Sequence, residues 1–379
     1  MLASFSDSVQ PYRMGERLGK RLLARGVAFA VAATVMMAGL AAPPPASAAP
    51  PASAASAAGT PEESAAELAT ALQSYLGPRP GSFSVSVREL DGDMRSVSLN
   101  GTRRAEPAST IKLFYAWAAL RAIDNGTLSF DTVLSSKVTV RNCLAVMIQV
   151  SDNNCAVDLR LKLGMTKLNS LFTSEGYLNT YIVLDSRGRY VTKRTSTDDL
   201  ALLLSRLERG ELLSEAQTGE FKKMLLAQIW RQRFSSGVER GTVVASKSGQ
   251  LWVSSGMVEA DTAIIYGPKS TYVLTAIGTN GSATNTIRGI STIVYRHLQQ
   301  DFPETHKASF PSHQFVTKIA VYIRKTPGGT RIRQLPKGTA VQFIYSNRMY
   351  AYVKTGSTSG WVHLDHLKLR DAYLWPESG

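Results

Sequence analysis

The sequence predicts an α+β domain, an antiparallel five-stranded sheet plus a helical subdomain, followed by a small all-β barrel. Three observations lead there. Between about residues 61 and 302 the patterns run helix, two strands, a helix-rich block, three strands, helix, so first and last elements must meet to complete one sheet. From about 315 to 374, short strand runs alternate with Gly- and Pro-bearing turns. The 379 residues, 44% apolar and 19% charged, suffice for two globular units and exclude wholesale disorder.

The N-terminal segment reads as an address. Arg13, Arg17, Lys20, Arg21 and Arg25 precede an apolar run over 27–42, and Ala46-Ser47-Ala48 is a small-x-small cleavage pattern. Residues 1–48 are therefore expected to be a secretory signal. An uncleaved anchor is the alternative, although the run is short for a span of ~20 residues. Residues 49–61 are Ala/Pro/Ser-rich and uncharged, a flexible linker. The chain beyond this linker is expected to work outside the cytoplasm, in the wall or secreted.

The first unit, 62–302, opens with a helix over 62–76, where Ala66, Leu68, Leu72 and Leu76 fall at helical spacing and Gly77-Pro78 stops it. Residues 82–87 alternate as a strand, Asp91-Gly92 turns the chain, and 95–99 return. A helix-rich stretch runs from Ser109 to about Arg231. Strands over 242–251, 262–266 and 271–277 come next, the last two joined at Gly267-Pro268. A final amphipathic helix over 283–299 places Ile287, Ile290, Ile293, Val294 and Leu298 on one side.

The second unit, 315–374, has turns at Pro327-Gly328-Gly329, Pro336-Lys337-Gly338 and 356–360. Charge concentrates here: residues 307–373 hold 11 basic and 2 acidic residues, against a net charge of +14 for the whole chain. That suits a polyanion. Export makes a wall polymer the expected partner and nucleic acid a poor one.

All five histidines lie at or after position 297, so a histidine base is unavailable to most of the chain. Ser109-Thr110-Ile111-Lys112 opens a helix, and residues three apart share a face, so Lys112 stands beside the Ser109 hydroxyl. A lysine that loses its proton can activate a serine; a helix-capping serine followed by a solvated lysine gives the same letters. Ser151-Asp152-Asn153 lies between helical patterns at 140–148 and 156–163, a turn composition in itself. Lys247-Ser248-Gly249 sits in an otherwise apolar strand. Either the lysine guards a sheet edge, or the edge pairs with an extended substrate whose carboxylate Lys247 and Ser248 bind while Gly249 admits its backbone.

Together the three motifs, S-x-x-K, S-D-N and K-[ST]-G in that order and on those elements, resemble the class A β-lactamases and penicillin-binding proteins. The Thr195-Ser196-Thr197-Asp198-Asp199-Leu200-Ala201 stretch is similar to that family's helix start after its Ω-loop. The resemblance implies Ser109 as acylated nucleophile, Lys112 as its base, and Ser151 as proton relay to the leaving nitrogen. It implies Asn153 as the contact to a substrate amide, and Lys247 and Ser248 as carboxylate anchors, with Gly249 beside them. The N–H groups of Ser109 and Gln250 would form the oxyanion hole. No cofactor or metal is implied.

One departure matters. The family's deacylating Ω-loop Glu, in an E-x-x-L-N setting, has no counterpart among Asp158, Glu175 and Asp185, the acids that lie where it should be. Acylation is expected and hydrolysis of the acyl-enzyme is expected to be slow. The functions this leaves are a β-lactam-recognising serine hydrolase, a D-Ala-D-Ala carboxypeptidase-like peptidoglycan enzyme, and a non-catalytic wall-binding or sensor protein, each as a monomer. Cys143 and Cys155 flank the S-D-N motif; a disulfide is expected in an exported chain, two buried thiols being the alternative. The motifs of 315–374, among them Val321-Tyr322-Ile323-Arg324 and Gly360-Trp361-Val362, resemble the bacterial SH3-like (SH3b) domain, with Tyr350 where that pattern often has Trp.

Overall fold

The computed structural model describes residues 60–303, 308–347 and 349–370. The expected signal and all but the last two residues of the linker lie outside them, as do residues 371–374 of the second unit.

Helix α1 (Pro61–Leu76) is started by a Thr60–Glu63 capping box and buries Leu68 and Leu72. Strand β1 (Ser82–Glu89) and β2 (Ser96–Leu99) form the expected hairpin. The helical block comprises α2 (Lys112–Asp124), α3 (Val140–Gln149), α4 (Asn153–Leu163) and α5 (Met165–Ser174). A two-stranded hairpin, β3 (Tyr181–Leu184) and β4 (Tyr190–Arg194), interrupts it before α6 (Thr197–Glu208) and α7 (Glu215–Leu226). The stretch 109–231 is helix-rich as expected, and the hairpin is an element the sequence did not mark. Its strands are only four and five residues long, too short to declare a period.

Strands β5 (Val243–Val253), β6 (Gly256–Tyr266) and β7 (Thr271–Thr279) lead to α8 (Thr284–Leu298). The sheet order is β2-β1-β7-β6-β5, every pair antiparallel, so the first and last strand groups meet at β1–β7 and β5 is an edge. The two faces sort by residue type. Phe83, Val85 and Val87 of β1 enter one apolar cluster with α1 and α8 residues, including Leu68, Leu72, Ile287, Ile290 and Val294. On the other face Ser86 donates from its hydroxyl to Thr197 Oγ1 and Asp198 Oδ1, tying β1 to the start of α6. The second apolar cluster lies on this side and is built around α2, whose residues 112–120 are all buried. A helix apolar on every side is a central strut, and its N-terminus is thereby fixed against the sheet.

The C-terminal unit holds β8 (His313–Thr317), β9 (Val321–Arg324), β10 (Arg331–Leu335), β11 (Ala340–Asn347), β12 (Tyr350–Thr355), β13 (Thr358–His363) and β14 (Leu367–Leu369). Their order is β10-β9-β13-β12-β11-β8-β14. The expectation of a small all-β unit matches this sheet. Its pairing is open, ending at β10 and β14, and does not describe a closed barrel. All the described residues fall within one compact unit, and none of their helices is long and apolar enough to cross a membrane.

Candidate active site

Ser109 lies in a short 3-10 turn, Ala108–Ile111, that runs directly into α2 at Lys112. The turn differs in pitch from the α-helix expected, but residues three apart still eclipse. Ala108 is held at φ 48°, a left-handed conformation that costs a non-glycine residue of order 1–3 kcal/mol. Glu106 secures it. One carboxylate oxygen accepts the Ala108 N–H (3.2 Å) and Lys193 Nζ (2.6 Å), and the other accepts Thr192 Oγ1 (3.1 Å) and Arg194 Nη1 (3.4 Å). A two-bond bridge between Ala105 and Thr195 continues the tie to β4.

Lys112 is 3% exposed. Its amine donates to Ser151 O (2.7 Å), Ser151 Oγ (3.1 Å) and Asn153 Oδ1 (2.8 Å). Ser109 Oγ is half-exposed and has no hydrogen-bond partner among the described residues, so Lys112 engages the S-D-N loop rather than the serine beside it. Burial first, opposed by the Asp152 carboxylate and assisted by the Lys193 cation, pushes Lys112 from 10.5 down to about 7.

Ser151 closes α3, with φ 64°, and Asp152 caps α4 by accepting the Cys155 N–H. Ser151 Oγ also accepts from Lys247 Nζ at 3.0 Å, so one hydroxyl stands between two lysine amines. Lys247 is fully buried and its pKa falls well below the ordinary lysine value. Burial is the main cause, the Lys112 and Arg233 cations add to it, and Asp261 opposes. Asp261 is itself pushed up to about 6 by burial. Asn153 is exposed at the first turn of α4.

Edge strand β5 passes close to Ser109. A Cβ added at Gly249 would lie 2.8 Å from Ser109 N and 3.0 Å from Ala108 Cβ, so only glycine fits here. The main-chain carbonyls of Val244 and Ser246 point out of the sheet edge and are taken by Arg231 Nη1 (2.7 Å) and Gln228 Nε2 (3.1 Å). Residues of one parity direct N–H and C=O to the same side of an antiparallel strand. Ser248 and Gln250 share that parity, which aims the Gln250 N–H at the open edge beside Ser109. The Gln250 side chain is turned away, donating to Glu259 at 2.7 Å.

The fold thus brings Ser109, Lys112, Ser151, Asn153, Lys247, Ser248 and Gly249 to one place from a helix start, a loop and an edge strand. The three acids considered for the Ω-loop are engaged elsewhere. Asp158 binds Ser135 and Ser136, Glu175 pairs with Arg121 and Arg206, and Asp185 closes the β3–β4 turn through Arg187 N and Arg189. Glu106 and Lys193 were not legible as site residues. Lys193 has no local motif, and its place depends on the unforeseen hairpin. Among the described residues, no three His, Cys, Asp or Glu side chains converge as a metal would require.

Cys143 and Cys155 are disulfide-bonded, Cα–Cα 5.0 Å, joining the first turn of α3 to the first turn of α4. The bond brackets the loop that carries Ser151. Replacing both cysteines with alanine should cost about 3 kcal/mol, measured by denaturant unfolding, and should slow any reaction that needs Ser151 in place.

The family model for the β-lactamase enzyme family matches residues 67–298. Among solved structures, PBP-A is similar with a TM-score of 0.55 at 23% identity, over 61% of this chain and 95% of its own. The TLA-1 extended-spectrum β-lactamase gives 0.57 at 19%, over 62% and 99%. A β-lactamase from Chitinophaga pinensis gives 0.54 at 19%, over 61% and 97%. A mutant of PBP-A, TM-score 0.55 and 21% identical over 61% of this chain and 96% of its own, was solved as an acyl-enzyme complex with penicillin G. At these identities the structures speak for the fold alone. No curated protein sequence matches the chain.

Proposed function

The chain belongs to the β-lactamase enzyme family, and on that premise we propose that it is an exported serine hydrolase, acylated at Ser109 by β-lactams and slow to release them. The observation that carries this reading is the Lys112–Ser151–Lys247 chain of hydrogen bonds beside a serine hydroxyl with no partner among the described residues.

In this mechanism neutral Lys112 takes the Ser109 proton as Ser109 Oγ attacks the lactam carbonyl carbon. The carbonyl π pair moves onto oxygen, where the Ser109 and Gln250 N–H groups receive it; such donors are each worth ~3–4 kcal/mol. When the tetrahedral adduct collapses, the C–N bond breaks and its electron pair goes to nitrogen. The proton reaches that nitrogen through Ser151 Oγ, which lies between the two amines. Lys247 and Ser248 hold the substrate carboxylate and Asn153 its side-chain amide.

Deacylation needs a water and a base. The carboxylate whose charge bears on Lys112 is that of Asp152, which is occupied in capping α4. This favours long-lived acyl-enzymes with β-lactams; a D-Ala-D-Ala carboxypeptidase-like action on peptidoglycan stems, in which water must still release the peptidyl ester, is the second reading. The leader pattern and the disulfide support export. The C-terminal unit reads as a wall tether, resembling SH3b. Half-buried Tyr345, Tyr352 and Trp361 stand in register across β11, β12 and β13, with Arg324 next in the row on β9. That aromatic and cationic row suits an anionic glycan.

The test is peptide mapping after incubation with benzylpenicillin. The adduct should sit on the tryptic peptide 105–112. An adduct on any other peptide, or none on the folded protein, would refute the assignment.

A further inference from the structure

Residues 227–232, between α7 and the 3-10 turn Phe234–Ser236, have no regular structure yet are tied on three sides. Toward the Ser151 loop, the Ile229 N–H donates to Gln149 O (3.0 Å) and Trp230 Nε1 to Val150 O (3.2 Å). Toward β5, Gln228 and Arg231 take the Ser246 and Val244 carbonyls. Toward the C-terminal unit, Ser346 Oγ donates to Ile229 O (2.8 Å), while Gln232 Nε2 donates to Ser346 O (2.7 Å) and Oγ (2.9 Å). The His313 ring nitrogen Nε2 lies 2.6 Å from Ala227 O.

Apolar packing takes the same route. The Ile229 side chain is 0% exposed and belongs to the core of the C-terminal unit, with Phe315 and Phe343; Val150 and Trp230 pack against that core. One short strap therefore joins the loop bearing Ser151, the strand bearing Lys247 and the core of a second folded unit. Ser151 needs such support. It holds a left-handed backbone at a helix junction, and Asn153 just beyond it is exposed. A side chain that must sit within 3.0–3.1 Å of two amines loses its function if the loop drifts, and a displacement of about 1 Å can cost on the order of 10²-fold in rate.

We infer that the C-terminal unit is part of the active-site scaffold: by gripping residues 227–232 it fixes Ser151 against Lys247, and Ile229 and Ser346 are positioning residues. The inference rests on the acylation reading above, and is separable from it.

The test uses the full chain and benzylpenicillin. Ile229→Ala should slow acylation about tenfold or more. Ile229→Val should restore most of the rate, and Ser346→Ala should give a smaller loss without opening a core cavity. In a Ser151→Ala background, Ile229→Ala should change the rate by less than about twofold, because a residue acting through Ser151 has nothing left to position. Equal slowing in both backgrounds would mean general destabilisation and overturn the inference, as would no slowing in the native background. Amide exchange over residues 149–153 should also accelerate in Ile229→Ala while exchange in β1 and β7 does not. If the native chain takes up no penicillin, the functional reading fails and exchange decides alone: unchanged protection of 149–153 would sink the scaffold role.

Discussion

Ser109→Ala should form no covalent adduct with benzylpenicillin and should lower any hydrolysis on the order of 10⁴-fold or more. The loss is this large because, among the described residues, no second hydroxyl shares the geometry. Ser151 Oγ is already held by two amines, and Thr110 directs its hydroxyl to Pro107 O at 2.8 Å. The substitution should leave the fold alone. Ser109 is half-exposed and makes no side-chain hydrogen bond among the described residues, so the stability change should stay within about 0.5 kcal/mol. Non-covalent binding should persist, since Asn153, Lys247 and Ser248 remain. Stopped-time mass spectrometry and equilibrium binding together check this. Turnover that survives in Ser109→Ala would place the nucleophile elsewhere.

Lys112 carries the second large effect, and its two consequences have opposite signs. As a base it must be neutral. With its pKa near 7, roughly half the molecules are competent at neutral pH; at the ordinary lysine value roughly one in 3,000 would be. The acylation rate should climb as pH rises through about 7 and level off above it. Lys112→Arg should lose about 10³-fold and the pH dependence with it, because a guanidinium keeps its proton.

Stability runs the other way. The folded pKa is depressed, so between about 7 and 10.5 the unfolded chain binds more protons than the native one. The penalty is complete below about pH 7 and disappears as pH approaches 10.5. Lys112→Met should therefore be more stable than the native chain on the order of 2–4 kcal/mol at pH 6–7, with the gap narrowing toward pH 10. Lys247 sits in the same field and reinforces the sign, since removing the Lys112 cation also relieves it. Urea unfolding at pH 6.5 and 9.5 measures both points. A less stable Lys112→Met at pH 6.5 would contradict the burial argument.

The candidate site, as a set of residues that the fold brings together, was legible in the sequence where they stand close along the chain. Ser109 and Lys112, Ser151 and Asn153, and Lys247 with Gly249 each fall within four positions, and their elements could be read from helix stops and strand alternation. What joins the motifs was not legible. Glu106 reads as an ordinary acid until β4 delivers Thr192, Lys193 and Arg194 to it. β4 itself hides inside a helical block because five residues carry no decisive period. The strap at 227–232 has no pattern at all. Its meaning lies in contacts with Ser346 and His313, more than 80 positions away. The strands of the C-terminal unit could be placed from turn residues such as Pro327-Gly328-Gly329, but whether they close depends on β10 and β14, which do not pair.

The most direct measurement is a chase. The protein is acylated with excess benzylpenicillin, free drug is removed, and intact mass is tracked at pH 7. With the acids Asp158, Glu175 and Asp185 committed elsewhere, the penicilloyl adduct should survive for tens of minutes or longer. Loss of the adduct within seconds, with penicilloic acid released, would mean that a base for deacylation operates in this cleft and would contradict the account.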